Sequence, residues 1–325
     1  MEGTYRKEIL SHLVPKEEVE NINNALLVDF FKGRCESSDY FPQYFFDNFG
    51  TKWQERLLTV MNLGYLRKST PYESLEFATL PVIKEILKSN NLKVSGKKSE
   101  LISRIKENLS PSLFDNMLSA FYITTDIGNY LLGDYGIYIL NKSMQNEFLV
   151  GEIYQTIKFL KTTKKSPSTN EILYELLAQR TKKHILDKDW GSLCCNMYAL
   201  AHFMEKLQLF KSSLSFLFAR FYLELSGLDN GNYVSRYQRL RIPPLLIKDI
   251  ERVIVSLNID ENEARSIFFS SADKADSFIP FSYFSKDVSF DIMVDILNGK
   301  DFNPDKYAHY ANTPSTQSKT YTYYE

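Results

Sequence analysis

Apolar residues recur at helical spacing over most of the chain, and where the spacing fails the sequence turns polar or glycine-containing. After Pro15, the positions Val19, Ile22, Leu26, Leu27 and Phe30 predict one helix, and Leu57, Leu58 and Met61 predict another. The phrase Leu63-Gly64-Tyr65-Leu66 then ends that helix on a glycine and opens a short extended piece. Leu80, Ile83 and Leu87 share one face of a further helix, with Thr79 as its N-cap and Pro81 in the first turn, where a missing N–H costs least. Asn90, Asn91, Ser95 and Gly96 interrupt it. A second helix from Lys97 places Leu101, Ile102, Ile105 and Leu109 on its apolar stripe, and Pro111 opens the next element.

Phe121-Tyr122-Ile123-Thr124-Thr125-Asp126 fits a single strand or an extended lead into a helix, and the pattern alone does not choose. The run from Lys161 to Ser168 is polar, basic and free of apolar residues. It stops at a Ser168/Glu171 capping box. From Ile172 to Leu297 the helical pattern returns, and about six helices are expected there as a bundle. The expected organisation is an N-terminal helical region (1–75), the helix pair (76–109), a helical connector with room for one short strand (110–160), a linker (161–168), a C-terminal helical domain (169–300) and a flexible tail (301–325). The fold class is mainly α.

Composition sharpens this picture only locally. The chain has 325 residues, enough for two or three compact units, with 23 Phe and 21 Tyr to fill their interiors. Its net charge of -1 gives no global field to gather a polyanion, so any such affinity must sit in a patch. Three cysteines make no disulfide framework, and the scattered His12, His184, His202 and His309 show neither metal-ligand spacing nor a partner for general-base work. No metal and no cofactor are expected. Without a signal core or a long apolar run, the expectation is a soluble protein with no membrane partner, cytoplasmic or nucleoid-associated, or nuclear in a eukaryote.

The patch is in the helix pair. Residues 81–110 hold seven Lys or Arg (Lys84, Lys88, Lys93, Lys97, Lys98, Arg104, Lys106) against Glu85, Glu100 and Glu107, a local excess of four positive charges. They gather at the start of the second helix, where unpaired backbone N–H groups and the helix dipole already favour an anion. The candidate binding set is Lys93, Ser95, Gly96, Lys97, Lys98 and Arg104, with Arg236, Arg239 and Arg241 as a second basic cluster, two of which could share a helix face.

Leu80 to Leu109 resembles the SAP motif in its apolar first helix, its loop ending Gly96-Lys97-Lys98, and its Glu100-Leu101-Ile102 followed by Arg104. The resemblance covers about a tenth of the chain. It implies binding of duplex DNA, largely through the backbone or minor groove, with Gly96, Lys97, Lys98 and Arg104 in the basic loop and second helix. Pro81 and the paired Asn90 and Asn91 depart from the pattern. The Leu63-Gly64 phrase also resembles the end of the middle helix in winged-helix units, so the N-terminal region is either plainly helical or winged-helix-like.

Other signals fail on their own chemistry. Gly96-Lys97-Lys98-Ser99 lacks the earlier glycine of a phosphate loop, whose place Asn91 takes. Gly136-Ile137-Tyr138 and Leu149-Val150-Gly151 resemble GIY-YIG nucleases, but the second half has no Tyr and no Arg follows where one is needed. Cys194 and Cys195 sit in an apolar helical stretch and read as packing residues. The expected function is non-catalytic, low-specificity binding of duplex DNA, with the C-terminal helices serving oligomerisation or a protein partner. Four phosphate-directed cations would give a log-log salt slope of about -3.6. The alternatives are a protein-interaction scaffold that docks through the helix pair, and a DNA-processing nuclease whose catalytic residues are not recognisable.

Overall fold

The computed structural model of the chain describes residues 13–313, except Asp39 and Asn146. The chain divides into two compact units, Met1–Thr169 and Asn170–Glu325. It is mainly helical, as the periodicity implies.

In the first unit, α1 (Lys16–Phe31) is followed by α2 (Gln43–Phe49) and α3 (Trp53–Asn62). Gly50, Thr51 and Lys52 alone separate α2 from α3, and Gly50 takes φ 70°, a left-handed value that any side chain would oppose. The core under these helices is aromatic. Phe30 and Phe45 lie with ring centroids 4.4 Å apart, Phe41 and Trp53 4.7 Å apart, and Phe31 stacks on Trp53 at 5.7 Å. Leu57 and Val60 turn the buried face of α3 onto it, while Glu55, Leu58, Thr59 and Asn62 face solvent.

After α3, Leu63-Gly64-Tyr65 turns the chain into β1 (Leu66–Lys68), which pairs antiparallel with β2 (Tyr122–Thr124), Leu66 opposite Thr124 and Lys68 opposite Tyr122. The undecided stretch 121–126 is therefore strand and then helix cap. On its other side β2 meets residues 33–36: Tyr122 N–H donates to Arg34 O at 2.9 Å, Gly33 N–H to Tyr122 O at 2.8 Å, and Cys35 bridges Phe121. The order helix, extended segment, helix, helix, strand, strand, with the first extended segment beside the last strand, is the connectivity of a winged helix. Its wing is replaced by everything between β1 and β2.

That insertion has its own aliphatic core. α4 (Pro71–Phe77), α5 (Leu80–Ser89) and α6 (Lys98–Asn108) bury Leu75, Ile83, Ile86, Leu87, Leu101, Ile102 and Ile105 together with Phe114. Leu80, expected on the buried face, is 45 % exposed, and Ile86 takes its place. A pair of short helices falls below the roughly 40 residues at which a chain folds unaided. The addition of Leu75 from α4 and Phe114 from the following 3-10 turns supplies the missing apolar burial, about 1.5–3 kcal/mol for each such side chain.

The unit closes with α7 (Asp126–Asp134), α8 (Gly136–Ser143) and α9 (Val150–Leu160). Thr125 clasps the base of the ribbon: it caps α7 through Gly128 N–H at 3.1 Å, its hydroxyl donates to Gly64 O, and its N–H donates to Tyr65 O at 3.2 Å. A Cβ on Gly128 would come within 2.1 Å of Tyr65 O, so only glycine lets α7 press against this turn.

In the second unit, α10 (Thr169–Asp187), α11 (Trp190–Lys206), α12 (Phe210–Ser226), α13 (Pro244–Leu257), α14 (Glu261–Asp276) and α15 (Lys286–Leu297) form the bundle. α12 is apolar on nearly every side and packs on α11, α13, α14 and α15, as a central helix must. A minimal ribbon, β3 (Leu228–Asp229) with β4 (Tyr233–Val234), interrupts the helices. Residues 301–313, grouped with the tail on sequence, carry a 3-10 turn at Pro304–Tyr310. There Phe302 and Tyr307 pack on the bundle core, and Tyr307 Oη donates to Asp295 at 2.8 Å. The rest of that stretch, 314–325, lies outside the described residues.

Candidate nucleic-acid interface

α5 ends in a Schellman motif, which accounts for the paired asparagines. Asn91 takes φ 57°, its N–H donates to Lys88 O at 3.1 Å, and Leu92 N–H donates to Leu87 O at 2.8 Å. Asn90 adds a side-chain bond to Ile86 O at 2.8 Å. Asn is the residue other than Gly that tolerates this conformation, and Leu92 packs into the aliphatic core.

The loop then runs through Lys93, Val94, Ser95 and Gly96, all exposed, into Lys97 at the N-cap position of α6. Gly96 adopts φ +135°, and a Cβ there would lie 2.5 Å from Glu100 Oε2. That carboxylate accepts from Lys97 N–H at 3.1 Å. Glycine is thus required twice, by the backbone angle and by the carboxylate folded over it. The next N–H groups, of Lys98 and Ser99, start the helix and have no intrahelical acceptor.

The expected site residues do not all play the same part. Lys93, Ser95, Gly96 and Lys97 are exposed around the start of α6. Lys98 is half-buried, and its Nζ donates to Glu76 O on α4 at 2.7 Å. Arg104 turns inward on the loop: one guanidinium nitrogen donates to Lys93 O and, at 3.3 Å, to Ser95 O. These two bonds hold the loop in shape. A planar guanidinium suits this bridging of two acceptors.

The sequence reading missed α4 as part of the site. Arg67 on β1 makes a two-point bridge to Glu73, at 2.7 and 2.8 Å. Glu73 also accepts from Thr70 N–H at 2.8 Å, while Thr70 Oγ1 accepts from Glu73 N–H at 3.3 Å. The Arg67 guanidinium, with Thr70, holds the Glu73 carboxyl at about 2, well below its ordinary range. Glu76 of the same helix pairs with Lys106 at 2.8 Å, and Tyr72 Oη donates to Leu109 O at 2.7 Å. Thr70-Pro71-Tyr72-Glu73 is a capping box with proline at its first helical position, and that signal was present in the sequence.

The second basic cluster has another geometry. Arg236, Arg239 and Arg241 are exposed but share no helix face, because only a 3-10 turn, Tyr237–Arg239, lies there. Arg241 donates to Gln238 O at 2.9 Å and to Leu240 O at 2.7 Å, so its guanidinium serves the turn itself. Among the described residues, no three His, Cys, Asp or Glu side chains are grouped to hold a metal ion, and no helix is long and apolar enough to cross a membrane.

None of the curated proteins matches the chain. Residues 79–110 match the SAP domain family model, a match that spans the α5–α6 pair with its basic loop and suggests nucleic-acid binding in general.

Proposed function

We propose that this chain is a non-catalytic protein that binds duplex DNA through the loop from Lys93 to Lys97 and the N-terminus of α6. The observation that carries the reading is the exposed Gly96-Lys97 step at the start of α6, with Lys93 and Lys97 exposed around it and the helix N–H groups of Lys98 and Ser99 without intrahelical acceptors. Such a point suits a phosphate oxygen, because the helix dipole and the lysine charges act in the same direction. Lys98 donates once to Glu76 O, and an ammonium has three donors. Arg104 shapes the loop through one of its guanidinium nitrogens. With Lys93, Lys97 and Lys98 as the contacting cations, the log-log salt slope on a random-sequence duplex is about -2.7.

Fluorescence anisotropy with a labelled random duplex across a salt series tests this directly. A slope near that value supports the reading, and absence of binding at low salt leaves the SAP domain as a protein-docking surface. The C-terminal bundle is proposed to recruit a protein partner or a second copy. A groove bordered by the exposed Tyr174 and the part-buried Phe216, with Met197 and Met204 buried beside them, supports that role.

A further inference from the structure

SAP contacts to phosphate carry no base identity. The first unit nevertheless contains an element built to supply it. α2 and α3 are consecutive helices joined by a three-residue turn with Gly50 in the left-handed region, the arrangement of a helix-turn-helix, in which the second helix enters the major groove. Trp53, Leu57 and Val60 fix one side of α3 on the aromatic core. The opposite side presents Glu55, Leu58 and Asn62 together with Thr59, all exposed, the Thr59 hydroxyl donating to Glu55 O at 2.9 Å and keeping its acceptor capacity. A carboxylate accepts from cytosine N4, an amide pairs with adenine, a hydroxyl serves either, and an apolar side chain meets the thymine methyl. Lys52 and Arg56, also exposed, border this face with positive charge, which suits the phosphates on either side of a groove.

The spacing from α3 to the SAP loop is short. Eight residues, 63–70, lead from α3 to α4, and α4 itself carries the Glu76 carbonyl that holds Lys98. Fully extended, that linker spans at most about 26 Å. The actual path is shorter, because the Thr125 clasp folds Gly64 and Tyr65 back on α7.

We infer that α3 is a second duplex-contacting element that reads base edges in the major groove beside the phosphates held by the SAP loop. This rests on the duplex-binding reading above, but its consequences are separate. In vitro selection from a random-core duplex library with the full chain should enrich a short motif. Replacing Glu55, Thr59 and Asn62 together with Ala leaves the buried face of α3 intact. The preference for the selected site over random duplex should fall at least tenfold, while affinity for random duplex changes little. Leu58→Glu, which places a carboxylate on the same face, should abolish the preference independently, and a folded variant is verified by an unchanged thermal transition. Replacing Lys97 and Lys98 should weaken selected and random duplexes alike. If the wild-type chain binds random duplex but enriches no motif, or if the motif survives both α3 changes, α3 is not a reader and the SAP proposal stands. If the chain binds no duplex at all, both fail.

Discussion

The chain has two clusters of basic residues, Lys93 to Arg104 and Arg236 to Arg241, which look comparable in sequence and differ in what their charges face. In the first, Lys93 and Lys97 stand exposed beside the start of an eleven-residue helix, and the arginine of the cluster donates through one guanidinium nitrogen to the loop carbonyls of Lys93 and Ser95. In the second, a 3-10 turn replaces the helix and Arg241 bonds to the carbonyls of its own turn. Counting cations does not separate the two. What separates them is a stretch of backbone with donors to offer, because helix N–H groups and ammonium groups acting together hold an anion better than guanidinium groups on a short turn.

The largest effect should come from removing the support beneath the first cluster. Leu101→Ala empties a fully buried position between α5 and α6 and should cost about 2–5 kcal/mol. Urea unfolding monitored on the first unit should show the loss, and DNA binding should go with it. Arg104→Ala comes next. Its two carbonyl bonds are charge-assisted, so losing them lets the loop relax and should weaken duplex binding about tenfold, with partial recovery in Arg104→Lys. An unchanged affinity in the Ala variant would remove the bracing role.

Glu100→Gln should act in the opposite direction. Glutamine can keep the capping bond to Lys97 N–H while removing a negative charge beside the phosphate position, so binding should tighten by roughly twofold to fivefold. Weaker binding would mean that the carboxylate is needed for more than the cap. The smallest effect concerns acid. Because the folded Glu73 carboxyl titrates at about 2, below its ordinary 4.5, its contribution is complete above about 4.5 and drains away as pH falls from there toward 2. Wild-type stability should fall across that window more steeply than that of Glu73→Gln, and parallel pH profiles would show that the Arg67 bridge adds nothing.

The parts legible in the sequence were those written in side-chain types. Leu101 and Ile105 declare their helix by period, and Gly96-Lys97-Lys98 declares the loop by a glycine next to charge. The role of Arg104 was not legible, because its partners are the carbonyls of Lys93 and Ser95, and a carbonyl has no letter in a sequence. The three-residue strands β1 and β2 are too short to show a period of two, so the ribbon that carries the SAP domain was visible only as Leu63-Gly64-Tyr65 at one end and an undecided stretch at the other. Of the two Asn at the end of α5, which looked like a departure, Asn91 takes the left-handed position that ends the helix and Asn90 bonds back to Ile86 O.

The most direct test of where the affinity resides is the salt dependence of binding to a random duplex for two variants of the full chain. Replacing Lys97 and Lys98 with Ala should make the log-log slope shallower by about 1.8, with the loss equal across sequences. Replacing Arg236, Arg239 and Arg241 with Ala should leave the slope where it was. The opposite pattern, a silent lysine pair and a lost slope in the arginine variant, would keep the SAP domain as a fold and move the DNA surface to the C-terminal unit.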